Sequence, residues 1–209
     1  PGAADLDTLP ALMEARDSTF IARTPPARGH VGLRDVGCEP ASTVALQGAI
    51  NAWGWTWERV SLPLLDPAFE AGLTVINAET WAAFGHYTGQ GLLGADVEAR
   101  LLRAAATNAE DVLGAEAVRV AFTQQVDDLL EGFDALVLPS LPRLPPLLAD
   151  VQRGEPVIDL TRFLRPFNLS GHPALSVPVA HPASSLKTSL QLIGRKGHDA
   201  QLCALAAAR

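Results

Sequence analysis

The segment Ser184-Ser185-Leu186-Lys187 has the residue types and the spacing of a nucleophile followed by its base. In a functional Ser-x-x-Lys motif the serine begins a helix, so that the lysine one turn later can accept its proton. Here the serine follows His181-Pro182-Ala183 and precedes a run that is typical of a strand. The sequence therefore favours a solvated polar loop, and we predict no catalytic residue in this segment.

Other residues that could bind a metal or transfer protons do not form a recognisable group. The five histidines include no His-x-x-x-His pair, and we expect them in loops or at the surface. Asp127 and Asp128 are adjacent on an amphipathic pattern, which favours a solvated helix face over an acid/base pair. Cys38 and Cys203 lie far apart, so we expect free thiols in a reducing compartment. The sequence predicts neither a metal site nor a cofactor.

Composition excludes several further classes of protein. With 48% apolar and 19% charged residues, the 209-residue chain is typical of a globular protein, and we expect one domain over 1–209. The net charge of −7 and the scattered basic residues argue against a nucleic-acid partner. Because no run of about 18 apolar residues and no leader pattern occurs, we expect no membrane partner and a cytoplasmic location.

Helical and strand-like patterns alternate along the chain, which indicates an α/β fold. The continuous apolar run at 135–138 predicts a strand buried on both faces, and the prolines within 141–156 predict an irregular loop. The helices are predicted over 6–16, 39–53, 69–84, 97–105, 118–133, 160–167 and 199–208. The remaining strands are predicted over 30–36, 55–62, 174–179 and 188–193.

Three segments in series resemble late parts of the amidase-signature family. Residues 133–140, Phe-Asp-Ala-Leu-Val-Leu-Pro-Ser, are similar to its strand and Pro-Ser/Thr turn. Residues 167–178 contain the family's Asn-x-x-Gly-x-Pro-Ala-x-Ser-x-Pro run, and residues 190–195 resemble its Gln-Leu-x-Gly segment before a terminal helix. Residues 31–63 are similar to the strand, helix and strand that follow its signature region, so the resemblance covers most of the chain.

The resemblance implies an α/β fold with a mixed central sheet flanked by helices, here a partial amidase-signature fold. It also implies amide chemistry by a Ser-Ser-Lys triad, with the middle serine in a cis peptide. In that family the lysine precedes both serines, which lie in a Gly/Ser-rich loop that also forms the oxyanion hole. This sequence has no such loop, and its two lysines, Lys187 and Lys196, follow every segment where the base belongs. We therefore expect the C-terminal part of an amidase domain, inactive alone.

Four residues are candidates for substrate binding. Ser140 ends the buried strand, where α/β sheets present groups to ligands, although a turn hydroxyl that bonds backbone is the alternative. Asn168 and Gly171 bracket a turn in which Gly171 is suited to positive φ, and an architectural role near a site is favoured for both. Gln191 points away from the leucines on either side of it, towards either a substrate channel or solvent.

Two functions remain open at this point. The first is an amidase region that shapes the pocket for a small amide substrate in a protein whose N-terminal half is missing here. The second is a non-catalytic binding or oligomerisation module derived from an amidase fold. Exposed apolar faces would be covered by the missing half in the first case and by a homo-oligomer or another partner in the second.

Overall fold

The computed structural model describes residues 8–208, which form a five-stranded sheet with helices on both faces. In sheet order the strands are β2, β1, β3, β5 and β4. Strand β1 is parallel to β2 and β3, whereas β5 is antiparallel to β3 and β4, so the mixed α/β sheet expected from the sequence is confirmed. The strands are β1 His30–Leu33, β2 Thr56–Arg59, β3 Ala135–Pro139, β4 Ala174–Ala180 and β5 Lys187–Ile193.

The long helices follow the amphipathic patterns, with shifted ends. The longest, α5, begins at a capping box in which Asn108 and Asp111 each accept a hydrogen bond from the other's backbone N–H, at 2.9 and 3.1 Å. The helices are α1 Leu9–Arg16, α2 Pro40–Ala52, α3 Leu65–Phe84, α4 Ala95–Ala104, α5 Ala109–Leu130, α6 Leu148–Gln152, α7 Arg165–Ser170 and α8 Asp199–Ala207. The first residues of the helix predicted at 6–16 lie outside the described residues.

Strand β3 divides the core because its side chains alternate between the two faces of the sheet. Leu136 and Leu138 pack with α3, α5 and α7, whereas Ala135 and Val137 pack with α2 and α8. Every residue of β3 is buried, which confirms the prediction from its continuous apolar run. The end of β3 therefore lies at the centre of the molecule, where it can position a site.

Two predictions for the segment after β3 are wrong. The predicted loop 141–156 contains the short helix α6, because the chain has no proline between Pro146 and α6 and its amide groups are free to bond. The predicted helix 160–167 is instead a 3₁₀ turn, Ile158–Thr161, followed by the separate helix α7. Pro166 lies in the first turn of α7, where proline is tolerated, so the regular helix starts there.

Within residues 8–208, no helix is long and apolar enough to cross a bilayer. The same part of the chain contains no group of three or more His, Cys, Asp or Glu side chains arranged to hold a metal ion. The cytoplasmic location stays a prediction.

Candidate functional site

The candidate site lies where β3 ends beside β5 and β4. Leu138, Gln191 and Ser176 are opposite one another on these three strands and so share one face of the sheet. Ser140, two residues after Leu138, is on the same face, and its Oγ lies 3.1 Å from Ser176 Oγ. Ser140 is only 3% exposed, and its hydroxyl bonds this side chain rather than backbone.

Gln191 is completely buried, so the solvent alternative for its side chain is wrong. Its Nε2 donates to the carbonyl oxygens of Phe163, at 2.5 Å, and Pro139, at 3.3 Å. These two bonds tie the chain before α7 to the end of β3. The Oε1 atom is buried without a hydrogen-bond partner among residues 8–208. Gln191 thus fixes the local backbone and retains one unused acceptor.

Asn168 and Gly171 lie in α7 and at its end, respectively. Asn168 is helical rather than part of a turn. Its exposed side-chain amide makes no hydrogen bond within residues 8–208. Gly171 has φ 75°, which confirms the predicted positive φ, and its N–H donates to Phe167 O at 2.9 Å. Ser140 bonds Ser176, and Gln191 bonds the backbone carbonyl of Pro139, the residue before Ser140. Within residues 8–208, no hydrogen bond links Asn168 or Gly171 to these three residues.

A Ser-His-Asp arrangement that sequence reasoning missed links α5 to the end of α7. His172 Nε2 lies 3.0 Å from Asp127 Oδ1, and its Nδ1 lies 2.9 Å from Ser170 Oγ. His172 lies in the loop between α7 and β4, as expected for a loop histidine, but it is buried rather than at the surface, with 5% exposure. Burial lowers the pKa of His172, although the Asp127 carboxylate acts in the opposite direction. Ser170 is also buried, so this arrangement ties two helices rather than presenting a nucleophile.

Glu39, at the start of α2, holds the loops that surround the end of β3. Its N–H donates to Pro142 O at 2.9 Å, and its carboxylate accepts from Leu144 N–H at 3.2 Å. The same carboxylate lies 3.0 Å from Nε2 of His181, a second histidine that is buried rather than at the surface. Nothing in the Glu39-Pro40 sequence predicts these contacts, because the partners of Glu39 lie over 100 residues away in the chain.

Arg143 fixes the rest of this loop. Its guanidinium contacts both carboxylate oxygens of Asp159, at 3.0 and 3.2 Å, and Glu155 at 3.2 Å. The hydrogen bond from Arg143 holds the pKa of Asp159 below its usual value. The chain that follows Ser140 is therefore an ordered wall beside the serine pair.

The Ser-x-x-Lys segment lacks the geometry that its chemistry requires. Residues 181–186 form a turn between β4 and β5, and Ser184 Oγ accepts a hydrogen bond from Leu186 N–H at 3.1 Å. Lys187 is the first residue of β5 and does not lie one helical turn after the serine. The two cysteines are free thiols, and burial raises the pKa of both. None of these groups is placed as an activated nucleophile.

Comparison with known proteins decides the family. The model of the family described as Amidase matches residues 46–203, which is most of the chain. The chain belongs to the amidase family. A putative amidase of Synechocystis sp. is 26% identical over 207 residues, covering 94% of this chain and 41% of that protein. A fatty acid amide hydrolase of Medicago truncatula is 33% identical over 108 residues, covering 48% of this chain and 18% of that protein.

Solved structures agree with membership of the amidase family at the level of the fold. A crystal structure of an amidase superposes with a TM-score of 0.80 at 24% identity, covering 98% of this chain and 50% of that chain. A 6-aminohexanoate cyclic dimer hydrolase superposes with a TM-score of 0.75 at 20% identity, covering 99% of this chain and 53% of that one. The chain thus spans about half the length of these two structures and less than half of the two curated relatives.

Proposed function

We propose that this chain is the part of an amidase that walls the substrate pocket, while the nucleophile and base come from polypeptide outside the sequence. The observation that carries the proposal is the hydrogen-bonded serine pair at the carboxyl end of β3, in which the buried Ser140 contacts the exposed Ser176 of the nearby strand β4. Carboxyl ends of strands are where α/β sheets hold their ligands. The loop that Glu39 and Arg143 hold follows Ser140 directly and would form one side of the proposed pocket.

Catalysis by this chain alone lacks a base. A serine that attacks an amide must lose its proton as it reacts, and the family uses a lysine for that step. The chain has only two lysines, and Lys187 lies at the start of β5, where it is exposed. The chain alone therefore binds the substrate without turnover, because binding without an activated nucleophile does not lower the barrier.

The test compares the chain alone with a chimaera. In the chimaera, residues 1–209 replace the matched segment of the Synechocystis putative amidase. We expect the chain alone to give no amide turnover and no serine adduct with a fluorophosphonate probe, measured by intact mass. We expect the chimaera to react with the probe and to hydrolyse simple amides. An adduct on a serine of the isolated chain would contradict the proposal.

The pocket role is tested within the same chimaera. Ser140→Ala removes a hydroxyl from the proposed wall and is expected to lower kcat/KM roughly fivefold, as for the loss of one hydrogen bond. Ser42→Ala is the matched control, since Ser42 is also buried but lies in α2 on the opposite side of the sheet. Equal effects of the two substitutions would show that Ser140 acts through stability alone.

A second candidate, a non-catalytic oligomerisation module, is favoured by an apolar groove between α3 and α4. The groove has a volume of about 350 Å³ and is lined by Ile76, Phe84 and Val97, which are 50%, 52% and 45% exposed. Large exposed apolar patches commonly mark interfaces. This candidate requires that the isolated chain self-associates, which light scattering measures.

A further inference from the structure

A cavity of about 240 Å³ opens outside the carboxyl ends of β1 and β2. Residues 34–37, which follow β1, line one side, and Leu62, Pro63, Leu65 and Asp66, which follow β2, line the other. The chain leaves β1 towards α2 on one face of the sheet and leaves β2 towards α3 on the other. Such diverging connections create the crevice in which open α/β sheets bind small molecules.

Two of the four charges around the cavity neutralise each other. Arg162 Nη2 lies 3.0 Å from each carboxylate oxygen of Asp66, which is a forked ion pair. Asp35, the second acid of the cavity, lies 3.8 Å from Arg59 on the neighbouring strand β2. Arg34 is therefore the charged residue of this cavity that has no ion-pair partner within residues 8–208.

The backbone N–H of Arg34 is hydrogen-bonded, whereas its side chain has no hydrogen-bond partner among residues 8–208. Its N–H continues the sheet by donating to Val137 O at 2.9 Å. Among residues 8–208 its buried Nε has no hydrogen-bond partner, and its guanidinium makes no ion pair. The Nη groups of this partly exposed side chain also make no hydrogen bond among residues 8–208, so a carboxylate in the cavity would supply their acceptor.

We propose that this cavity binds a small molecule through a single carboxylate held by the planar fork of Arg34. Guanidinium matches the geometry of a carboxylate, because its N–H groups form two parallel hydrogen bonds to the two oxygens. Because Asp35 and Asp66 are each paired with an arginine, the single positive charge of Arg34 is balanced by a monoanion better than by a dianion such as phosphate. The volume suits a ligand smaller than the drug-sized molecules that fill pockets of roughly 300 to 1,000 Å³. The site is independent of whether the chain takes part in amide hydrolysis.

The test uses the chain itself, labelled with ¹⁵N, and follows the Arg34 Nε–H resonance by NMR. Propionate is the probe, and propionamide is its uncharged analogue of nearly the same shape. We expect a saturable shift with propionate and none with propionamide. Arg34→Gln should weaken propionate binding by roughly tenfold or more, the effect of losing hydrogen bonds to a charged group.

Arg103→Gln is the matched control, since Arg103 is exposed on α4 and lies away from the cavity, and it should leave binding unchanged. Should Arg34→Gln fail to fold, as judged by circular dichroism, Asp66→Asn carries the test. This substitution leaves the charge of Arg162 unpaired beside the cavity, which should tighten propionate binding severalfold. Equal binding of propionate and propionamide, or unchanged affinity in Arg34→Gln or Asp66→Asn, would overturn the proposal.

Discussion

Asp127 and Ser170 hold the two ring nitrogens of His172, so one imidazole connects α5 with the end of α7. The Asp127 carboxylate accepts a hydrogen bond from Nε2–H, while Nδ1 lies 2.9 Å from Ser170 Oγ, whose hydroxyl also donates to Phe167 O at 3.3 Å. Protonation would place a positive charge on a ring that is buried, which is why burial lowers the pKa of His172.

The free energy of unfolding should therefore depend on the charge of His172. Burial lowers the folded-state pKa, so the unfolded chain takes up a proton first as the pH falls below about 6.5. The stabilisation is complete above that pH and is lost as the pH falls towards the lowered folded pKa. Urea denaturation at pH 7.5 and 5.5 should show a larger loss of stability in the wild type than in His172→Gln.

The variant itself should be about 1 kcal/mol or more less stable at pH 7.5, because the buried Ser170 and the half-exposed Asp127 lose a hydrogen-bond partner. His86→Gln is the control, since His86 is exposed beside Tyr87. It should keep the full pH dependence of the wild type. The same pH dependence in His172→Gln and wild type would assign the acid sensitivity to other groups.

For single residues, the sequence predicted the candidates that follow a local pattern. It did not predict contacts between side chains that are distant in the sequence. Ser140 was found because it ends an apolar run, and Gly171 because it follows a helical segment. Asp127 and His172 are 45 residues apart, and their contact depends on how α5 and α7 pack. The burial of Gln191 was also hidden, since alternation in β5 gives the direction of a side chain and not what covers it.

Among the elements, β1 is packed closely by β3 and by the residues that follow β2 and α5. Gly32 lies in β1, and a Cβ placed there would lie 2.9 Å from Leu136 and from Val60 and 3.1 Å from Phe133. These contacts are closer than packed side chains allow, so the strand depends on the missing methyl group. Strand β2 then ends the sheet with all four of its residues exposed.

Gly32→Ala should reduce the free energy of unfolding by about 1 to 3 kcal/mol, the usual cost of overpacking a core. Gly48→Ala provides the matched control in the interior of α2, where a Cβ would meet nothing within 4 Å. This second substitution should stabilise the protein by about 0.5 to 1 kcal/mol through helix propensity. Thermal and urea unfolding measure both changes. A neutral Gly32→Ala would mean that the neighbouring side chains move aside freely.

Long elements, in which the apolar pattern repeats many times, were predictable from the sequence. The short helices that follow prolines were not. Helices α3 and α5 repeat apolar residues over many turns, and β3 is an unbroken apolar run, so each pattern has one interpretation. Helix α6 has five residues and α7 has six, which is too short for any period to appear. Their formation depends on the tertiary contacts of Arg143 and Gln191 with the surrounding chain.

For the whole molecule, the apolar groove between α3 and α4 raises the question of what covers it. The expected homo-oligomer stays a prediction, as does the expected missing half. The chain spans 50% of the amidase crystal structure that it resembles, so a covering segment of the same polypeptide competes with a second copy as the partner of this face.

Phe84→Glu distinguishes the groove from other apolar surface. If copies of the chain associate through it, light scattering should show a dimer or larger species for the wild type and a monomer for the variant. Leu148→Glu is the control, because Leu148 is 72% exposed and lies in α6, outside the groove. If the wild type stays a monomer at high concentration, copies of the chain do not associate through this groove.

The strand order also sets the sequence of events in folding. Strands β4 and β5 are joined by a short turn and can pair as soon as both are made, whereas β1 must wait for β3, about 100 residues later. The parallel half of the sheet thus closes slowly around long connections, and β1 and β2 spend that interval without a central neighbour. Chaperone dependence and aggregation during synthesis should arise from this half rather than from the C-terminal hairpin.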